Sequence, residues 1–146
     1  MKGKVKKFLI NIGAAVLLIV MIGGVVVSIK EKKESESAIH IVQDGKFNVD
    51  LDATFGQAID QYLIESNWSS YENNDGRIVQ IIGKRRDVSK EHTYTYELNY
   101  LVDRKNNTYT LYSGYKDGIK MNEIEEIILK IKAFDLCDVD IKTDEK

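Results

Sequence analysis

The chain has 146 residues, 21 of them lysine or arginine and 23 of them acidic, with one cysteine and no proline. A single thiol excludes an internal disulfide, so stability has to come from packing. All 23 acids lie beyond residue 29 and four of the 21 bases lie before it, leaving seventeen bases against twenty-three acids, a net of −6. A segment that acidic is excluded as a nucleic-acid binder working by phosphate neutralisation.

Residues 1–7 carry Lys2, Lys4, Lys6 and Lys7 and no acid. Residues 8–29, FLINIGAAVLLIVMIGGVVVSI, then run without a charge for 22 residues. At about 1.5 Å per residue that is roughly 33 Å of helix, enough to cross a hydrocarbon core of about 30 Å. The apolar region of a cleaved signal peptide is shorter, about 7–15 residues, and ends in small side chains. This one ends Val25-Val26-Val27-Ser28-Ile29. The spacing therefore predicts a retained transmembrane helix. The basic residues before it, against Lys30, Lys32 and Lys33 after it, place residues 1–7 in the cytoplasm and the remainder outside. Residues 30–37, KEKKESES, read as a polar stalk, too charged to bury anything.

The 117 residues beyond the span suffice for one small core. Residues 39–42 read as a short strand closed by Asp44-Gly45. Thr54 opens a helix, because Thr54 with Gln57 three positions on makes a capping box. Phe55, Ile59, Tyr62 and Leu63 recur on one face of that helix, at helical spacing. Strands are expected over 68–72, 77–84, 93–103 and 108–113, separated by Asn73-Asn74-Asp75-Gly76 and Lys105-Asn106-Asn107, turn formers that tolerate positive φ. The third strand alternates cleanly. Tyr94, Tyr96, Leu98, Tyr100 and Val102 share one side, with Thr93, Thr95, Glu97 and Asn99 on the other, as a pleat requires. A final helix over 122–134 presents Ile124, Ile127, Ile128 and Ile131 on one face, the stripe that periodicity assigns to the core. Residues 38–134 thus form an α+β domain, an antiparallel meander covered by two helices in the order helix–four strands–helix, and 135–146 form an acidic tail.

The order Val42-Gln43-Asp44-Gly45, Thr54-Phe55-Gly56-Gln57-Ala58, Trp68, Asp75-Gly76, Gly83 and Leu101-Val102-Asp103 resembles a family of uncharacterised membrane-anchored domains of Gram-positive bacteria. Gln57 stands where that family carries an acid, and the zinc-ribbon cysteines found in some members are missing. The resemblance implies an extracytoplasmic sensor or interaction module and supplies no catalytic residue.

Three patterns touch on chemistry. Asp50-Leu51-Asp52-Ala53-Thr54 fits D-x-D-x-T of haloacid-dehalogenase-type phosphatases, where the first Asp attacks phosphorus and the second handles the leaving-group proton. That fold needs a parallel sheet with crossover helices of about 30 residues per unit. The capping argument at Thr54 favours a turn instead. Ser113-Gly114-Tyr115-Lys116 fits S-x-x-K but falls at a strand end, where the pair cannot share a helical turn. His40, His92 and Cys137 lack partners at metal-ligand spacing.

The row of Tyr94, Tyr96 and Tyr100 can serve as a ligand platform, tyrosine offering a rigid ring and a polar tip. Leu98 and Val102 in the same row favour a core face. The resulting expectation is a bacterial, single-pass, membrane-anchored binding module of the cell envelope, non-catalytic and without cofactor or metal. Its partners would be the membrane through residues 8–29 and a protein or envelope component, not nucleic acid. The alternatives are a hydrolase using Asp50 and Asp52, or a small envelope immunity or exclusion protein.

Overall fold

The computed structural model describes residues 27–46 and 52–144. The chain divides into two compact units, Met1–Glu34 and Ser35–Lys146. Of the first, residues 27–34 belong to a helix, α1 (27–43), with Lys30 and Glu34 paired at 3.8 Å one turn apart. The expected membrane span lies outside the described residues except for 27–29. Among the described residues no helix is long and apolar enough to cross a membrane.

In the second unit the remainder of α1 is followed by α2 (Phe55–Tyr62), β1 (Ile64–Asn73), β2 (Gly76–Asp87), β3 (His92–Asp103), β4 (Thr108–Lys116), β5 (Ile119–Lys120) and α3 (Glu123–Asp144). The five strands form one antiparallel sheet in sequence order. The α+β antiparallel meander is as expected. Among the described residues its elements number three α-helices and five strands, against the expected two domain helices and a four-stranded meander.

Two corrections concern the start of the domain. Residues 39–42 are helical, not a strand, and the polar segment 30–37 is part of the same helix. Glu, Lys, Ser and Ala tolerate helix, and no breaker intervenes before Asp44-Gly45. Ala38 and Val42, one turn apart, are both fully buried, so the apolar run Ile39-His40-Ile41-Val42 reads at period 3.6, not 2. At the other end, α3 continues through the expected acidic tail to Asp144.

α2 begins as the capping box requires. Gln57 N donates to Thr54 Oγ1 (3.3 Å) and Thr54 N donates to Gln57 Oε1 (2.9 Å). Phe55, Ile59, Tyr62 and Leu63 are all buried. The loops use the chemistry of their residues. Asn73 Oδ1 accepts from Asp75 N and Gly76 N, and Asp103 Oδ1 accepts from Lys105 N and Asn106 N. Gly83 lies directly under Leu63, whose Cβ would stand 2.9 Å from any added methyl.

The core lies on one face of the sheet, where Val79, Ile81, Tyr96, Leu98, Tyr100 and Val102 meet the three helices. Phe55 is its aromatic hub, 5.4 Å from the Tyr100 ring and 5.9 Å from Tyr109. Among the described residues, no helix contributes to the other sheet face. There Glu97 Oε1 accepts from Gln80 Nε2 and Asn99 Nδ2, and Asn99 also donates to Ser113 Oγ. This lattice, with its neighbours, buries Asn99, a residue that alternation puts on the solvent side.

The largest correction is the roll of α3. Ile124, Ile127, Ile128 and Ile131 are 42–69% exposed, whereas Leu129, Ala133, Phe134 and Cys137 enter the core together with Glu126. α3 carries two apolar stripes, and the isoleucine stripe is the one left outside. Leu129→Ala should therefore lower stability by about 2–5 kcal/mol, while Ile127→Ala should stay within roughly 0.5 kcal/mol. Urea midpoints of the two variants check this, and an inverted order would mean that α3 is rolled the other way.

Candidate functional site

The row of tyrosines divides between core and surface. Tyr100 is fully buried, and its hydroxyl donates to Glu126 Oε1 at 3.3 Å. Burial first, and the neighbouring Glu126 carboxylate second, push its pKa well above the usual tyrosine value. It has no surface to offer a ligand. Tyr96 is 6% exposed, and burial together with Tyr62 raises its pKa as well. Tyr94 is half-buried. Tyr94 and Tyr96, with Tyr62 from the end of α2, line a cleft of about 660 Å³ at the β2–β3 hairpin end of the sheet.

Register explains what else reaches this cleft. Arg85 is the direct cross-strand partner of Tyr94, and Lys116 that of Tyr96. The Arg85 guanidinium carbon sits 4.5 Å from the centre of the Tyr62 ring, and Nη1 donates to Tyr62 O at 2.9 Å. Lys116 Nζ sits 3.8 Å from the Tyr94 ring centre and 5.9 Å from that of Tyr96. Each cation is thereby held on an aromatic face, an attraction of about 0.5–2 kcal/mol. Lys132 of α3, Arg86 and Lys90 also line the cleft, against the acids Asp87 and Asp135. Asp87 is already engaged: the Ser89 hydroxyl donates to it at 2.6 Å and lowers its pKa. Among the described residues, Arg85, Lys116 and Lys132 have no carboxylate in ion-pair contact.

One wall is braced by Asp117, at the β4–β5 turn. Its Oδ1 accepts from Thr95 N at 2.7 Å, and its Oδ2 lies 3.1 Å from His92 Nε2. His92 in turn packs on Tyr94 at 4.5 Å. The Thr95 N–H and then His92 hold the Asp117 carboxyl below its usual value.

The other sequence patterns come apart. Ser113 hydrogen-bonds Asn99 on the open sheet face, while Lys116 lies over Tyr94 on the helix-covered side, so S-x-x-K places its two residues on opposite faces. Asp50 lies outside the described residues, and Asp52 is exposed. Cys137 is buried and His40 exposed on α1. Among the described residues, no group of three His, Cys, Asp or Glu could hold a metal ion. Arg85, Lys116, Lys132 and Tyr62 are the site residues that sequence reasoning missed. A basic residue directly across from Tyr94 and another across from Tyr96 were the available signal, legible only once register is known.

No family model, curated protein or solved structure matches the chain.

A depressed carboxyl pKa stabilises the folded state above the ordinary carboxylate value near 3.8, and that contribution is lost as pH falls through the lower folded value. Asp117→Asn should flatten the acid limb of stability against pH below about 4. Urea titrations of both proteins from neutral to acidic pH read the difference, and parallel acid limbs would remove Asp117 from the account.

Proposed function

We propose that the chain is a membrane-anchored, non-catalytic binding module whose domain, outside the cell, takes an anionic group of a protein or envelope component into the cleft between Tyr94, Arg85 and Lys116. One observation carries the reading: Arg85 and Lys116 are fixed on tyrosine faces at 4.5 and 3.8 Å with no acid paired to them. Other basic side chains meet carboxylates, as Arg77 meets Glu72, Lys84 meets Glu65 and, at the rim of the cleft itself, Lys90 meets Asp87. Arg85, Lys116 and Lys132 gathered at one cleft in a segment of net charge −6 focus the local field on an incoming anion, although Asp87 and Asp135 also line it and Asp117 lies near Lys116.

The magnitudes set the affinity. A hydrogen bond to a charged group contributes about 1.5–3 kcal/mol, and a millimolar Kd corresponds to about −4 kcal/mol. Two cations alone hold a small anion at roughly millimolar strength. A sugar or peptide body that also covers the Tyr94 edge would bind more tightly. The uncharged run of residues 8–29 is what supports the cellular setting of this reading; the cleft supports the binding.

Two experiments test it. The full chain in detergent micelles, with ring-labelled tyrosine, is titrated with phosphate and with glucuronate. Saturable NMR shifts should concentrate on Tyr94 and its neighbours Tyr62 and Tyr96, and vanish in Lys116→Met; equal shifts at Tyr71 and Tyr112 on the open face would defeat the proposal. For topology, Cys137 is too buried to report quickly, so Ile119→Cys, 74% exposed in the native chain, is placed in a Cys137→Ala background. A membrane-impermeant maleimide should label it in intact protoplasts, and labelling only after lysis would put the domain inside the cell.

A further inference from the structure

The exposed isoleucine ridge of α3 invites a partner, and its flanking charges say which one. Ile124, Ile127, Ile128 and Ile131 are spaced i, i+3, i+4, i+7 and are 69, 47, 44 and 42% exposed. Such a stripe on a water-facing helix is the geometry of helix–helix packing. Its midpoint falls between Ile127 and Ile128. On one flank stand Glu123 and, two turns later, Lys130; on the other stand Glu125 and, two turns later, Lys132. Each flank therefore runs from acid to base along the helix.

We infer that this ridge is a two-fold interface with a second copy of the chain, the two α3 helices packing antiparallel about the point between Ile127 and Ile128. Reversing the helix makes the pattern its own complement. Ile124 meets the partner's Ile131, Ile127 meets the partner's Ile127, and Ile128 meets the partner's Ile128. Glu125 comes beside the partner's Lys132, and Glu123 beside the partner's Lys130. A parallel pair would set acid near acid and base near base, which is unfavourable. A closed two-fold contact of this kind needs one self-complementary patch and nothing else.

The individual charges differ in weight. Lys130 already pairs with Glu126 and has a side chain only 20% exposed, so Glu125 with Lys132 is the stronger interchain pair. Glu125 Oε2 accepts from Asn122 N, and a carboxylate retains further lone pairs for a lysine. A lipid surface fits the ridge less well, because membrane-lying helices carry bases along the polar face, whereas here acids hold one end of both flanks. A ridge of four isoleucines is small beside interfaces of about 1,200–2,000 Å². The association is accordingly weak, and cross-linking is the means of trapping it.

The test uses the full chain in its membrane, in a Cys137→Ala background, with mild copper oxidation. Ile127→Cys alone should give a disulfide dimer, since the residue meets its own copy at the two-fold axis. Ile124→Cys alone should not, but Ile124→Cys co-expressed with Ile131→Cys should give the mixed dimer. Adding Ile128→Glu should cut the Ile127→Cys dimer at least fivefold while leaving the urea midpoint unmoved. Cross-linking of Ile124→Cys to itself would overturn the antiparallel arrangement. Absence of every dimer, with all the thiols open to maleimide, would overturn the interface. Thiols that lose maleimide reactivity in vesicles without forming any dimer would assign the ridge to lipid and overturn it equally.

Discussion

Glu126 is the constraint on which the arrangement of this domain turns. It is 6% exposed beside a largely aromatic and aliphatic core, and a buried carboxylate is tolerable only when paired and hydrogen-bonded. Both conditions are met by neighbours of fixed position. Tyr100 in the middle of β3 donates its hydroxyl, and Lys130 one turn along α3 supplies the charge. Lys130 is itself held near the rings of Phe55 and Tyr100, at 5.7 and 5.4 Å. With Glu126 turned toward Tyr100, α3 has one roll only. Leu129, Ala133, Phe134 and Cys137 follow it inward, and the isoleucines are carried out to solvent.

The sheet is treated differently on its two faces and at its end. One face is closed by helices, with Phe55 edge-on to Tyr100 and Trp68. On the opposite face Glu97 gathers Gln80 and Asn99 through hydrogen bonds, though Asn99 Oδ1 stays buried without a partner among the described residues. At the hairpin end α2 and α3 leave a gap over the sheet, lined by Tyr62 and Lys132. Tyrosines that would otherwise be interior become walls there, and Arg85 and Lys116 close over them.

Cation–π contacts also explain how Arg85 and Lys116 are held there without a carboxylate in ion-pair contact. Resting on a ring face, an ammonium or guanidinium keeps its charge, loses some of its rotamer freedom and leaves its remaining donors pointing outward. Pairing with a carboxylate would have spent those donors. In an acidic domain this is an economical way to keep a positive site available, and it needs only strand register and ring placement.

Much was legible in the residues themselves. The Thr54–Gln57 capping box, the Asn73 and Asp103 turns, the alternation along β3 and the antiparallel meander follow from local chemistry, since each needs only neighbours a few positions apart. Residues 30–43 misled because a short apolar run such as Ile39-His40-Ile41-Val42 is consistent with either period. There the burial of Ala38 with Val42, a tertiary event, chose the helix. The isoleucine stripe misled for a related reason: periodicity identifies apolar faces but does not rank two of them on one helix. That choice was made by Glu126, which had to find Tyr100. The cleft, likewise, joins Tyr62, Arg85, Tyr94, Lys116 and Lys132 from five elements. What the sequence determined by itself was therefore everything set by adjacency along the chain; which side of α3 faces the core, and which cations meet which rings, was decided by contacts between residues far apart in it.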